Sequence, residues 1–314
     1  MLNLNRLALL DELHRRGSLH AVGRSLSYSP STVSQQLKLL EREVGAELLE
    51  KAGRGVRLTR QGEILAGHAA SILGLMEAAE ADVAAALDEP RGVLRIATFQ
   101  TAALSLLPTV VDLVARQAPQ LRLAVVHLDP AAMLDALLAR DFDLVLAEEY
   151  PGRPLPLHPE VELETLMHDP MVLAAPAHGA RLDESRLAEE LAASPWVMEP
   201  EGTEGRAWVT AQCRAMGFEP EVRFESADLL VQLRFVETGH AVAILPGLLL
   251  RENRFDVRQL QYSAERPSRR IAMGTRRGSA TSPAIAAVLA AVRSTVASTP
   301  GPSGKPLSVG LPDA

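Results

Sequence analysis

The chain has almost no cysteine: Cys213 stands alone among 314 residues. One thiol cannot close an internal disulfide, and by itself it cannot assemble a cysteine zinc site. With no nearby histidine to act as a base, Cys213 reads as a small core residue rather than a nucleophile. Long hydrophobic runs are also missing, and no apolar stretch approaches the roughly 18 residues that a membrane span needs. The opening segment MLNLNRLALLDELHRR carries Asp11 and Glu12 and shows no small-residue cleavage site, so a soluble, cytoplasmic protein is expected. Enzyme signatures are absent as well: no GxxxxGKS/T, GxGxxG, HExxH or GxSxG occurs. His127, His158, His168, His178 and His240 are scattered without metal-like spacing, so they read as ordinary surface or packing residues. Neither an enzyme nor a metal or cofactor site is expected.

What is present is a charge asymmetry. The net charge is −7, yet residues 1–60 hold ten Lys and Arg against six Asp and Glu, a surplus of four, which leaves −11 on the remainder. A phosphate-binding surface, if there is one, is therefore local and N-terminal. Length and a 47% hydrophobic composition allow a substantial core divided into two or more domains.

The periodicity of the first sixty residues is helical. Leu4, Leu7, Leu10 and Leu13 form one stripe that Gly17 ends, which predicts a helix over about 4–16. Ser18 caps a short helix through Leu26, and Ser27-Tyr28 makes a turn. Ser29 caps a third helix with Pro30 at its first position, and Val33, Leu37, Leu40 and Val44 make its buried stripe. LLEKAGRGVRLT then reads as two short strands around a basic, Gly-rich turn, a wing. The winged helix-turn-helix is thus residues 1–58.

From Thr59 to Leu87 no proline occurs, and Leu65, Ala69, Ile72, Met76, Ala79, Val83 and Ala86 alternate four- and three-residue steps. A rod of roughly 40 Å with one apolar seam wants a partner helix, so Leu65, Ile72, Met76 and Val83 are dimerisation candidates. Residues 88–92, Asp-Glu-Pro-Arg-Gly, break the helix as a hinge. Beyond it, strands at Val93–Ala97, Leu121–Leu128 and Leu144–Ala147 alternate with helices at Leu104–Gln117 and Pro130–Ala139, which predicts a parallel sheet. After the proline-rich stretch from Tyr150 to Pro159, a second set follows. It comprises strands at Val161–Met167, Met171–Ala175, Trp196–Glu199, Val222–Glu225 and Ala241–Leu245, with helices from Arg181 to Ala193, from Thr203 to Met216 and up to Thr238. Strand Ile271–Thr275 and helix Pro283–Val296 return to the first set. The fold class is α/β over 93–297 in two lobes, about 93–160 with 266–297 and about 161–265, and residues 298–314 form a low-complexity tail expected to be disordered.

If Val33, Leu37, Leu40 and Val44 face inward, Ser31, Thr32, Ser34, Gln35, Lys38 and Arg42 face outward or flank. Gln35 suits a base edge, because a carboxamide can bond adenine bidentately. Ser29, Ser31 and the free N–H groups of the helix start suit a phosphate, as do Arg54 and Arg57 of the wing. Read alone, Arg54 and Arg57 are a solvated loop, and only their place beside the helix-turn-helix makes them phosphate ligands.

Two stretches in combination carry a family resemblance: GSLHAVGRSLSYSPSTVSQQLKLLEREVGAELLEKAGRGVRLTRQGEIL at 17–65 and GHAVAILP at 239–246. The chain resembles the LysR-type transcriptional regulators over nearly all its length. It departs from them at Pro30-Ser31, where the family often has Gln-Pro, and at Gln35, where it often has Arg. Both departures bear on the operator sequence rather than the fold. The resemblance implies lobes like those of periplasmic binding proteins with a small effector between them. It also implies pairing of the 59–87 helix in a dimer, tetramers built as dimers of dimers, a double-stranded DNA operator and RNA polymerase as a partner. Neither activation nor repression is specified.

Ligands favour the carboxyl ends of parallel strands and helix N-termini, which nominates Thr98, Phe99, Gln100 and Thr101. Family position adds Thr98, Thr101 and Glu148 as effector contacts. Gly202 and Thr203 precede a helix and read equally as a carboxylate site or an ordinary cap. An acid at position 148 favours a cationic group, hence an amino-acid-like or other zwitterionic effector. Three other classes compete: an enzyme, which lacks motifs; a solute receptor, which would lack the attached head; and an architectural DNA binder, which would not need the acidic two-lobed part.

Overall fold

A computed structural model describes residues 2–26, 28–53, 55–86, 89–178, 182–252, 255–279 and 281–298. Ser27 of the predicted turn, Arg54, Leu87 at the end of the predicted linker, Asp88 of the hinge, Arg181 and the tail beyond Ser298 lie outside the described residues. Helix α1 (Leu4–Arg16) is capped by Asn3, whose side chain accepts from the Arg6 N–H, and ends at Gly17 with φ +70. Helix α2 (Leu19–Leu26) follows, with Ser18 Oγ accepting from Ala21 N–H at 3.2 Å. Helix α3 (Pro30–Val44) starts at the Ser29 cap and stops at Gly45, φ +74. Leu7, Leu10, Leu13, Val22, Val33, Leu37 and Leu40 close one core between them. Val44 is the exception to the predicted stripe and is exposed, because it occupies the last turn, beyond the reach of α1 and α2. Strands β1 (Leu49–Ala52) and β2 (Gly55–Leu58) pair antiparallel as the wing.

Helix α4 (Arg60–Ala85) begins at the Thr59 cap and crosses so close to the wing that a Cβ at Gly62 would sit 2.2 Å from the Leu48 carbonyl oxygen. The predicted seam divides along the length of the helix. Leu65, Ala69 and Ile72 pack into the N-terminal core, whereas Met76 and Val83 are exposed together with Ile64 and Leu75. The N-terminal core reaches along α4 only as far as Ile72, so the later seam positions lie beyond it.

Beyond the hinge come β3 (Gly92–Thr98), α5 (Gln100–Ser105), α6 (Leu107–Gln117), β4 (Leu121–His127), α7 (Met133–Leu138) and β5 (Leu144–Glu149). The single helix predicted over 104–117 is two, because Pro108 restarts it in the first turn of α6. One strand, β6 (Val161–Pro176), replaces the two predicted at 161–167 and 171–175. Then follow α8 (Leu187–Ala193), β7 (Pro195–Met198), α9 (Glu204–Ala215), β8 (Glu221–Glu225), α10 (Leu229–Glu237), β9 (Ala243–Pro246), α11 (Gly247–Glu252), β10 (Val257–Leu260), β11 (Ser268–Arg276) and α12 (Pro283–Ser298). Helix α11 and strand β10 were not foreseen; at six and four residues they are too short to show a period.

The sheet expected to be parallel is mixed: β3 pairs parallel with β4 and β5, but β11 runs antiparallel to β5 and β6. Strand β6 links two hydrophobic cores. Up to Pro170 it pairs with β11, and from Met171 it pairs with β9 and β10. Leu166 and Met167 belong to the first core, around β3, β5, α6 and α12; Met171 and Leu173 belong to the second, around Trp196 and Trp208.

Candidate functional site

The N-terminus of α3 is one candidate surface. Ser29 Oγ accepts from Thr32 N–H at 3.0 Å and lies 2.7 Å from Ser31 Oγ and 2.8 Å from Thr32 Oγ1, so three hydroxyls cluster over the helix start. Free N–H groups and the helix dipole there favour an anion. Ser31, Gln35 and Lys38 are exposed one turn apart, with Thr32 and Ser34 half-buried beside them. Gln35 and Lys38 make no hydrogen bond to any of the described residues, so both are free for a partner. On the wing, Arg57 is exposed and its Nε donates to Glu50 Oε1 at 2.5 Å across the hairpin.

The second candidate lies where β6 passes between the cores. Arg269 of β11 is 1% exposed and gathers the site around itself. Its guanidinium donates to Asp169 Oδ2 at 3.0 and 2.8 Å, to Thr101 Oγ1 at 2.5 Å and to Glu148, and it lies 5.2 Å from the centre of the Phe99 ring. Burial pushes the Glu148 and Asp169 carboxyls up, and the Arg269 charge pulls them back down. Asp169 Oδ1 also accepts from Leu248 N–H at 2.8 Å.

The nominated cleft residues therefore have partners inside the protein. Thr98 is buried and its hydroxyl donates to the Phe99 carbonyl. Gln100 bridges the cores: its Nε2 donates to Asp228 Oδ1 at 2.6 Å and its Oε1 accepts from Leu229 N–H at 2.9 Å, at the cap of α10. Thr203 caps α9, accepting from Arg206 N–H, and Gly202 before it has φ +91. A cavity of about 610 Å³ opens beside this network, with Glu148, Tyr150, Leu134, Leu138, Arg153 and Glu204 in its wall. Of the nominated residues only Glu148 lines it.

Two participants escaped the sequence reading. Arg269 could have been suspected as a charge inside a strand-like run. Glu199, at the end of β7, carries no such signal. It packs so tightly on Gly205 that a Cβ there would lie 2.2 Å from its Oε1. Burial, and next the negative charge of Glu148, push its carboxyl up to about 7.

Residues 4–63 match the family profile described as a bacterial regulatory helix-turn-helix protein, lysR family, and residues 87–297 match the LysR substrate binding domain. The chain belongs to the LysR family of transcription regulators. Among the relatives of this regulator, a probable hydrogen peroxide-inducible genes activator from Streptomyces viridosporus is 31% identical over 280 residues, covering 87% of this chain and 86% of its own. The transcriptional regulator AlsR of Bacillus subtilis strain 168 is 26% identical over 82% of this chain and 85% of its own. A cysteine-to-aspartate variant of full-length OxyR from Pseudomonas aeruginosa superposes with a TM-score of 0.69 at 21% identity, covering 99% of both chains. Full-length CbnR in complex with its target DNA gives a TM-score of 0.52 at 21% identity, over 94% of this chain and 99% of its own. These two structures share the fold. The regulator thus joins a DNA-binding head to a domain for a small-molecule effector, and its relatives are transcription regulators rather than enzymes.

Proposed function

We propose that the regulator reads its operator through Gln35, fixes its register by phosphate contacts from Ser29, Ser31, Thr32, Ser34, Lys38, Arg54 and Arg57, and responds to an amine-bearing effector in the cleft. The exposed pair Gln35 and Lys38 on α3, without a hydrogen-bond partner among the described residues, supports the DNA reading most directly. In our reading the head is residues 1–58, the linker 59–87, the hinge 88–92 and the effector domain 93–297. Dimers form through the exposed stripe of α4, with Met76 and Val83 facing the partner copy and Leu65 and Ile72 bracing the head from inside. Tetramers and contact with RNA polymerase extend that assembly on DNA.

The effector's chemistry follows from the charges of the cleft. Glu148 and Asp169 share Arg269, whereas no ion pair forms at Glu199 among the described residues. A carboxylate held half-protonated near neutral pH gains a full charge when an ammonium group arrives, so Glu199 takes the role first assigned to Glu148. Glu199 borders a small pocket that shares Tyr150 with the cavity of about 610 Å³, and that cavity, with Glu148 and Glu204 in its wall and an apolar flank of Leu134 and Leu138, gives room for the rest of an amino acid or diamine. Thiol sensing is the second reading, raised by the name of the Streptomyces relative. It is disfavoured because Cys213 is fully buried and its thiol is pushed up to about 12.

Mapping of bound sites across the genome, followed by footprinting at several salt concentrations, tests the DNA reading. A discrete protected region is expected, and uniform coating would refute it. Calorimetric titration of a panel of amino acids and diamines tests the effector class. One of them should bind the native protein and lose affinity in Glu199→Gln, while binding only by neutral or anionic compounds would refute the assignment.

A further inference from the structure

The head is held against the effector domain of its own chain by charged groups. Arg15 Nη2 of α1 reaches Glu160 Oε2 at 2.9 Å, and Arg16 Nη2 reaches Asp141 Oδ1 at 2.7 Å. In the opposite sense, Arg140 approaches Asp11 at 3.8 Å and Glu77 of α4 at 3.6 Å. Arg140 does so from φ +59, a left-handed conformation that costs a side-chain-bearing residue free energy and persists only where its surroundings impose it. All the head residues in these pairs lie on the rear of α1, so the α3 N-terminus stays open.

Arg276, at the end of β11, ties this junction to the ligand cavity. Its Nε donates to both Glu77 carboxylate oxygens at 2.8 and 2.9 Å, and its Nη2 to Oε1 at 2.6 Å. Its Nη1 donates to the carbonyls of Leu137, at 2.8 Å, and Phe142, at and just past the C-terminal end of α7. One buried guanidinium thus grips α4 and α7 together. Helix α7 lines two cavities. Leu134, Asp135 and Leu138 face the ligand cavity of about 610 Å³. Asp135, Ala136 and Leu138 line a second cavity of about 550 Å³, whose wall also includes His14, Arg15 and Arg16 of the head. A helix of six residues shared by two cavities cannot shift in one without shifting in the other.

We propose that α7, gripped by Arg276, is the strut through which cleft occupancy sets the angle of the reading head, and that the Arg15–Glu160, Arg16–Asp141 and Arg140–Asp11 pairs are the latch it holds shut. This rests on the reading that the cleft takes a ligand. Arg276 is a positioning residue in this scheme. It touches neither DNA nor effector, and it converts a displacement of α7 into a change at the linker and the head.

The full chain tests this with nitroxide labels at Glu47→Cys in the head and Arg122→Cys in the effector domain, both exposed positions, diluted into unlabelled protein. The native protein should give one narrow distance distribution. Arg16→Asp and Asp141→Asn should each widen it about twofold or more, and the exchange Arg16→Asp with Asp141→Arg should narrow it again. Equal widths in native, single and exchanged proteins would overturn the latch. Leu134→Trp, which fills the ligand cavity from α7, stands in for an occupant. It should shift the native distance, and the shift should vanish in Arg276→Gln. Should that variant misfold, Glu77→Gln removes the same grip from the solvent side. A shift of undiminished size in either background would overturn the strut. The same proteins are footprinted on a genomic fragment that the native protein protects. An intact footprint with unchanged distances removes the latch alone, whereas absence of any discrete footprint removes the regulator reading itself.

Discussion

The head and the cleft handle their polar side chains in opposite ways. On α3 the residues nominated for recognition point outward, and Gln35 and Lys38 have no partner among the described residues. In the cleft, Thr98, Gln100, Thr101, Glu148 and Thr203 all bond within the protein. A helix on a small core shows its polar face to solvent by geometry, so its recognition chemistry is displayed before any partner comes. A cleft between two cores must first satisfy its own buried groups, so its recognition chemistry is not displayed in advance.

Breaking the cleft's internal pairing should have the largest effect. Arg269→Met leaves Glu148 and Asp169 buried without their cation and should cost about 3–5 kcal/mol, read as a lower urea midpoint of the effector domain. The head's transition should not move, and its loss as well would mean that the two regions fold as one. On the other side of the contrast, Gln35→Ala should cost about 1–3 kcal/mol at a single base position in a binding-site selection. Lys38→Ala should weaken specific and random DNA alike and flatten the salt dependence by about one counterion. Matching profiles for these two variants would erase the division between reading and anchoring.

Two smaller effects sharpen the comparison. The folded-state pKa of Glu199 lies above its unfolded value of 4.5, at about 7, so the stability it contributes is complete below 4.5 and is lost as pH rises through 7. Glu199→Gln should therefore be more stable than the native protein at pH 8 and equal to it near pH 4.5. A gain of about 1–2 kcal/mol is expected, since residual solvent contact reduces the full value. A native-like pH profile of melting temperature in that variant would place the titration elsewhere. Gln100→Ala removes two hydrogen bonds across the cleft, each worth about 0.5–1.5 kcal/mol. It should loosen the closed arrangement, seen as a larger radius of gyration in solution scattering, and an unchanged radius would show that the bridge is incidental.

Much of the head was legible in the residues. The ends of α1, α2 and α3 and the start of α4 fall within one residue of the positions that Gly17, Ser18, Ser29 and Thr59 foretell. The effector domain was legible as an alternation of elements but not as a set of partners. His168-Asp169-Pro170 reads as a break between strands, yet β6 runs through it, because Asp169 is drawn inward by Arg269 and Pro170 pairs in register with Ser268.

The amino-acid sequence by itself determined the local geometry: caps, stripes, the wing, the basic head on an acidic chain, and the family. Each of these depends on residues three or four apart, or on simple counts, and such information is contained in the string. Tertiary structure alone decided that Arg269 meets Asp169 from 100 positions away, Glu148 from 121 and Thr101 from 168. It also decided that Arg276 meets Glu77 from 199. No local propensity encodes such pairs. They form because folding takes these charges out of water, and a buried charge is tolerated only beside its opposite.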